Sequence, residues 1–280
     1  MSSLYFLAAA AAKAPKPEDL TPKFWQPGMM WDSIFVLLLF LAIGIMIQRA
    51  RAGLPIPPIR KLAGLDAIDE AIGRATEMGR PIHFSPGMSG FTAVTYAGLA
   101  VLSEVAKKAA QYDTRLLVTN RQALVQPVAQ EVVKQAYLEA GRPDAYNPDD
   151  VRYLSDAQFS YTTAVLGLYQ REKPAANILY GYWMAESLIL AEAGSQIGAI
   201  QIGANTNTFQ IHFFIVTMDY VLIGEEMFAA AAYMSKEPVL TGTVVGQDMF
   251  KIAIGLLIVF GTIWATVAGS SKGLVDFLLR

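Results

Sequence analysis

Apolar residues run without a charge from Ser33 to Gln48, with Trp31 before the run and Arg49 and Arg51 closing it. Extended back to Met29, with Asp32 at the interface, the segment reaches the roughly 20 residues that a bilayer-crossing helix needs. Residues 29–48 therefore read as a first transmembrane helix. A second charge-free run, Ile252 to Ser271, lies between Lys251 and Lys272 and reads as a second span over 251–271. A buried core helix seldom stays apolar on every face for so long. Phe84–Ser103 and Ala193–Met218 are uncharged too, but the first carries Pro86 with several Gly, Ser and Thr, and the second carries Gln201, Asn205, Asn207, Gln210 and His212. Such groups are costly in hydrocarbon, so both stretches are expected inside a folded domain.

Between the two runs, helical periodicity alternates with short β-branched stretches. Leu65–Met78 predicts a helix whose first turn holds Asp66, Asp69 and Glu70, where acids complement the helix dipole. Pro81–Phe84 predicts a strand, Ser85–Gly90 a loop, and Phe91–Tyr112 a long helix. Strands at Arg115–Thr119, Val151–Leu154, Asn177–Gly181, Gly198–Ile202 and Tyr220–Ile223 then alternate with helices at Gln122–Ala140, Ala157–Glu172, Trp183–Ala193, Thr208–Thr217 and Glu225–Met234. Short apolar strands between helices predict a doubly wound, mostly parallel α/β sheet of Rossmann-like kind, covered on both faces. The chain so divides into a tail (1–28), a span (29–48), a Pro-rich linker (49–61), an α/β domain (62–240), a linker containing Gly242 and Gly246 (241–250), a second span (251–271) and a short tail (272–280).

Composition supports this division. The chain is 54% hydrophobic and 16% charged, against about 25% charged in soluble domains, which excludes disorder. A net charge of -2 with no Lys or Arg run leaves no surplus to neutralise phosphates, so nucleic acid is excluded as a partner. The absence of Cys removes disulfides, thiolate metal sites and Cys nucleophiles. Residues 1–12 imitate a signal peptide without its positive n-region and read as an uncleaved tail leading into a Pro- and Lys-containing segment over 13–27. Arg49, Arg51, Arg60 and Lys61 follow the first span more closely than Lys13, Lys16 and Lys23 precede it. That bias places the α/β domain in the cytoplasm and both termini outside.

In open α/β sheets ligands bind beyond the carboxyl ends of the strands. That rule selects Ser85, Gly87, Ser89 and Gly90 ahead of a helix N-terminus, with Asn120, Asp156, Asn205 and Thr206 completing a polar rim for a nucleotide or another small anion. The loop matches neither G-x-G-x-x-G nor G-x-x-x-x-G-K-[ST], and a tight turn is its plainer reading. Ser89 lacks the spacing of a nucleophile elbow. His83 and His212 sit in apolar surroundings without a carboxylate at ligand spacing, so two core histidines and no metal site are expected. No catalytic residue and no cofactor is assigned. Glu186 and Glu192, six apart and so about 120° apart around a helix, need partners in so apolar a segment. Arg171, Lys173 or a neighbouring subunit would supply them as structural or subunit-contact ion pairs.

The strings Arg171-Glu-Lys-Pro-Ala-Ala-Asn, Ala185-Glu-Ser-Leu-Ile-Leu-Ala-Glu-Ala-Gly and Ile197-Gly-Ala-Ile-Gln-Ile stand out, together with Ala71-Ile-Gly-Arg-Ala-Thr-Glu-Met-Gly-Arg-Pro and Ala136-Tyr-Leu-Glu-Ala-Gly-Arg-Pro-Asp-Ala-Tyr-Asn. On these the chain resembles, over about residues 62–265, a family of uncharacterised two-span membrane proteins with a central domain of unknown function, found in bacteria such as Chloroflexi and in archaea. The resemblance implies the two-span topology, carries over no catalytic residue, and draws attention to Arg171, Glu172, Lys173, Asn177, Glu186 and Glu192. Two functions are carried forward. The first is a non-enzymatic membrane scaffold whose domains associate into a homo-oligomer in the lipid bilayer. The second is a ligand-sensing or catalytic domain using the strand-end residues. A channel or transporter is less supported, because neither span carries an intramembrane charge.

Overall fold

The computed structural model describes residues 30–59 and 62–267. The terminal tails expected over 1–28 and 272–280, the signal-like segment, and Arg60 with Lys61 lie outside these residues. The described residues divide into two compact units, Ile43–Gly246 and the remainder, 30–42 with 247–267.

The larger unit holds a six-stranded, wholly parallel sheet formed by β1 (Ile82–Ser85), β2 (Leu116–Asn120), β3 (Val151–Tyr153), β4 (Ala176–Gly181), β5 (Ile200–Asn205) and β6 (Tyr220–Ile223), in the order β3-β2-β1-β4-β5-β6. Its helices are α2 (Ala63–Met78), α3 (Ala93–Gln111), α4 (Val125–Glu139), α5 (Gln158–Glu172), α6 (Glu186–Gln196), α7 (Ile211–Thr217) and α8 (Glu225–Ser235). Two one-turn 3-10 segments, Pro143–Ala145 and Pro148–Asp150, lead into β3. The doubly wound reading holds. Chain reversal between β1 and β4 makes that boundary the topological switch point.

Alternation along the strands builds two cores. Ile82, Phe84, Val118, Ile178, Tyr180 and Ile202 point to one face and pack with α2, α3, α4 and α8. Leu117, Leu179, Tyr161, Trp183, Leu190 and Phe214 fill the other, between the sheet and α5, α6 and α7. Local signals set the ends of these helices. α2 buries Ile68, Ala71, Ile72 and Ala75 at helical spacing and stops at Gly79, whose φ of 61° lets its N–H reach back to Thr76. α3 starts on Thr92, whose hydroxyl accepts the Thr95 N–H. Trp183 was expected inside a helix; it lies in the β4–α6 connection instead, and the helix starts at Glu186.

Among the described residues two helices are long and apolar enough to cross a membrane, α1 (Met30–Arg51) and α9 (Pro238–Val267). The most apolar window of each has no residue buried inside the protein, and Leu37, Phe40, Phe260 and Trp264 are exposed. The expected linker over 241–250 is not a linker, because α9 runs through it unbroken from Pro238. Proline is tolerated in a first helical turn, where its missing N–H has no partner to lose. Gly242 and Gly246, read as flexible points, serve packing. A Cβ on Gly242 would lie 2.6 Å from Ile47 Cα, and one on Gly246 would lie 2.7 Å from Ile43 Cα. Small residues four apart let the two backbones meet.

Candidate functional site

The strand order puts the candidate crevice between the loops that leave β1 and β4, and that is where the two loops are zipped together. Met88 N–H donates to Tyr182 C=O at 2.8 Å. A Cβ on Gly181 would meet Pro86 C at 2.6 Å and Gly87 Cα at 2.7 Å, and one on Gly87, at φ +91°, would meet Tyr182 N at 2.7 Å. Both glycines are therefore required by backbone-to-backbone approach within the chain. Met88 and Trp183 are buried beside them. Arg121 ties the seal to the next loop, donating to Met88 C=O at 2.7 Å and to Asp156 C=O at 2.8 Å.

The rim residues are engaged one by one rather than converging on a common cavity. Ser85 Oγ is buried 2.7 Å from Tyr161 OH. Ser89 Oγ bonds Thr92 and Thr95 hydroxyls, and Gly90 C=O accepts from Thr95 Oγ1 at 2.6 Å, so the first turn of α3 is capped by its own chain. Asp156 is exposed and accepts from Tyr153 OH at 2.9 Å. Asn205 Oδ1 accepts Trp183 N–H at 3.2 Å and Asn207 N–H at 3.0 Å, and Thr206 beside it is half-buried. Asn120 Oδ1 is buried with no partner among the described residues. It is an acceptor, which an anion cannot satisfy.

Glu186 and Glu192 part company. Glu192 is exposed and accepts from Gln196. Glu186 is fully buried in the first turn of α6, where it accepts Met184 N–H at 2.8 Å and the Gln158 side-chain amide. Among the described residues neither acid pairs with Arg171 or Lys173. Lys173 caps α5 with φ 47°, its N–H donating to Tyr169 C=O. Arg171 lies against Gly167 of its own helix.

A buried polar ladder, not foreseen as a unit, crosses the face of the sheet under α5 and α6. Register sets His83 of β1, Asn177 of β4 and Gln201 of β5 side by side, with Thr119 of β2 on the same face. The direction of each bond follows from its anchor. Gln201 Nε2 donates to Ala191 C=O (2.7 Å) and Thr217 C=O (3.1 Å), so its Oε1 accepts from Asn177 Nδ2 at 3.1 Å. Asn177 Oδ1 then accepts from Tyr169 OH (2.7 Å) and from His83 Nδ1–H (2.8 Å). That leaves His83 Nε2 to accept from Thr119 Oγ1 (2.9 Å), Thr119 to accept from Tyr161 OH (2.8 Å), and Tyr161 to accept from Ser85. His83 is thus a neutral Nδ1–H tautomer, assigned from the network. Burial pushes its pKa down to about 4, against the raising effect of Asn177. Burial likewise raises Tyr161 to about 12 and holds Tyr169 well above the usual tyrosine range. All three are neutral across physiological pH. The sequence carried one signal for the ladder: a polar residue at the second position of each of β1, β4 and β5, His83, Asn177 and Gln201, which a sheet buried on both faces must satisfy internally.

His212 corrects the other histidine expectation. It is exposed, because α7 turns Ile211 and Phe214 inward and its other positions outward. Among the described residues no group of three His, Cys, Asp or Glu is placed to hold a metal ion. Two hollows open at the opposite, amino end of the sheet. One, of about 340 Å³, lies by Tyr137, Tyr146 and Asp150, and the other, of about 540 Å³, by Glu70, Arg74 and Asp219.

A family described as a domain of unknown function (DUF6754) matches residues 21–274, and the chain belongs to that family. No curated protein and no solved structure matches it.

Proposed function

We propose that the protein is a two-span integral membrane protein whose α/β domain works by association, as a homo-oligomeric scaffold or organising protein, rather than by chemistry on a bound nucleotide. The observation that carries this reading is the sealed switch point: Gly87 and Gly181 in backbone contact, Met88 and Trp183 buried behind them. A Rossmann-type sheet that takes a dinucleotide keeps this crevice open and its glycines facing the pyrophosphate. Here the glycines face each other's strands.

Apolar side chains on every side of α1 and α9 support insertion in a bilayer, since water would not tolerate them. Arg49 and Arg51 in the last turn of α1 favour a cytoplasmic domain. The domain also shows lateral apolar surface, with Leu188 and Ile189 of α6 and Ile215 and Val216 of α7 exposed; such surface suits a partner subunit. The test is the mass and shape of the purified complex in nanodiscs. A closed ring or other defined oligomer is the expected result. A monomer overturns the reading and directs ligand screening to the strand-end residues around Ser89 and Asn120.

A further inference from the structure

The hollow of about 340 Å³ at the amino end of the sheet lies between the last turns of α3 and α4, the start of β2 and the 3-10 segments that precede β3. Its size falls in the range of small-molecule sites, roughly 300–1,000 Å³. Leu116, Val133 and Val151, each almost fully buried, supply apolar wall. Tyr137 and Tyr146 stand edge to face on one side, with ring centroids 6.1 Å apart and planes at 66°.

The polar groups around the hollow divide into those already engaged and those left over. Asp150 takes the Arg115 guanidinium on both carboxylate oxygens, at 2.6 and 3.0 Å, and Glu172 takes the same guanidinium at 2.9 Å. Arg142 Nη2 donates to Asp113 Oδ1 at 2.8 Å. Both arginines are thereby committed to acids and leave no free cation for an anionic ligand. Tyr146 OH donates to Gln130 C=O at 3.5 Å. What remains is Asp113 Oδ2 and the Tyr137 hydroxyl, neither of which has a hydrogen-bond partner among the described residues. Tyr137 is only 6% exposed, and a hydroxyl buried to that degree calls for a partner.

The potential at that hydroxyl selects the sign of the partner. Burial, and then the charges of Asp150 and Asp113, push the Tyr137 phenol up to about 12, against the lowering effect of Arg142, so its surroundings disfavour negative charge. Two helices, α3 ending at Gln111 and α4 ending at Glu139, turn the negative ends of their dipoles to the same region. Tyrosine ring faces attract cations as well.

We infer that this hollow is a binding site for a small organic cation, a primary ammonium on an apolar body, with about ten non-hydrogen atoms in all at ~30 Å³ for each water-sized group. The ammonium donates to Tyr137 OH and Asp113 Oδ2, and the body lies on Leu116, Val133 and Val151. An ammonium carries three donors and no acceptor, which matches a cavity whose unengaged oxygens can accept. An inorganic cation would leave the apolar wall unused. The site goes beyond the association proposed above and does not depend on it.

The probe is 2-(4-fluorophenyl)ethylamine, titrated against the full chain in nanodiscs and followed by fluorine NMR, with empty nanodiscs as the blank. The matching alcohol and 4-fluorophenylacetate are its neutral and anionic counterparts. The expected result is saturable binding of the amine, at least about ten-fold tighter than the alcohol, and none of the acetate. Tyr137→Phe removes the unpartnered hydroxyl alone. It should weaken the amine about ten-fold or more, the loss of one hydrogen bond to a charged group, with a melting temperature within about 2 °C of the parent. Asp113→Asn, at a φ of 56° that asparagine tolerates, should also weaken it. Amine binding that keeps its parental affinity in either variant overturns the proposal. So do equal affinities for amine and alcohol, displacement by ammonium chloride at the probe's own concentration, which marks a site for inorganic cations, and a lack of saturable binding at millimolar amine.

Discussion

If the switch point is sealed by the chain itself, a single methyl there should damage the fold and not merely a ligand site. In Gly181→Ala the added carbon would sit 2.6 Å from Pro86 C and 2.7 Å from Gly87 Cα, and backbone atoms cannot rotate away. Relief requires separating the β1 and β4 loops, which breaks the Met88 N–H to Tyr182 C=O bond and loosens Met88 and Trp183. Overpacking contributes about 1–3 kcal/mol and the lost bond about 1 kcal/mol. A destabilisation of about 3 kcal/mol follows, or a melting temperature lower by about 6–12 °C for a domain of this size. Gly90→Ala is the internal control. It lies in the same loop, has nothing within 4 Å of its Cβ position and has no positive φ, so a change within about 0.5 kcal/mol is expected. The assay is thermal unfolding of the full chain in mild detergent, read by near-ultraviolet circular dichroism, which sees the buried Trp183. Gly181→Ala melting within about 2 °C of the parent would refute the sealed crevice, because loops that part in the resting state accommodate the methyl at no cost.

The remaining predictions concern the ladder and the apolar helices. His83 is neutral in the fold with its pKa lowered from 6.5 to about 4, so between those values the unfolded state binds more protons and stability rises with pH. The contribution is fully present above about pH 6.5 and is lost as pH falls to 4, by about 3 kcal/mol at 1.36 kcal/mol per unit; His83→Gln should flatten that slope in denaturant titrations at pH 4.5 and 7, and an unchanged slope would contradict the buried neutral tautomer. Asn177→Leu orphans Gln201 Oε1 and the Tyr169 hydroxyl hydrogen, while His83 Nδ1–H keeps Tyr169 OH at 3.1 Å, and should lower the denaturation free energy by at least about 2 kcal/mol at ~1–3 kcal/mol per orphaned group. A loss under about 1 kcal/mol would show the ladder to be dispensable. Gly242→Val places carbon within 2.6 Å of Ile47 Cα and should lower the melting temperature in detergent, whereas Gly255→Val, open to its surroundings, should not; equal effects would argue against close α1–α9 packing.

Most of the α/β unit was legible because its signals are local. β6 at Tyr220–Ile223 is delimited by Asp219 and Gly224, and α5 ends at the Glu172–Lys173 boundary that precedes Pro174. α9 was misread at its start because Pro238, Gly242 and Gly246 look like breakers when taken singly; only the neighbouring helix reveals that the glycines serve contact. His212 misled for a related reason. Its neighbours Phe213, Ile215 and Val216 are apolar yet exposed, so apolar surroundings in sequence did not mean burial in space. The strand-end residues were named as a rim, and the structure zips the loops after β1 and β4 together there. Whether loops after β1 and β4 part or zip depends on a backbone approach between residues about 94 apart, as in Gly87 and Gly181, and residue types at one loop do not encode it.

The seal and the ladder belong to one design. Ser85 is the last residue of β1 and the first donor of the ladder, and its hydroxyl turns down toward Tyr161 instead of up toward the crevice. The polar side chains here run along the sheet, from Ser85 through His83 and Asn177 to Gln201, which donates to the carbonyls of Ala191 within α6 and Thr217 at the end of α7. A fully satisfied buried network of this kind rigidifies the strands it joins. Rigidity across β2, β1, β4 and β5 would suit the association proposed for the domain, since contacts spread over several elements add only if those elements hold fixed spacing. On the proposed scaffold reading, loosening the ladder through Asn177→Leu should shift the oligomer distribution in nanodiscs toward smaller species in the fraction that stays folded, and an unchanged distribution would separate the ladder from association.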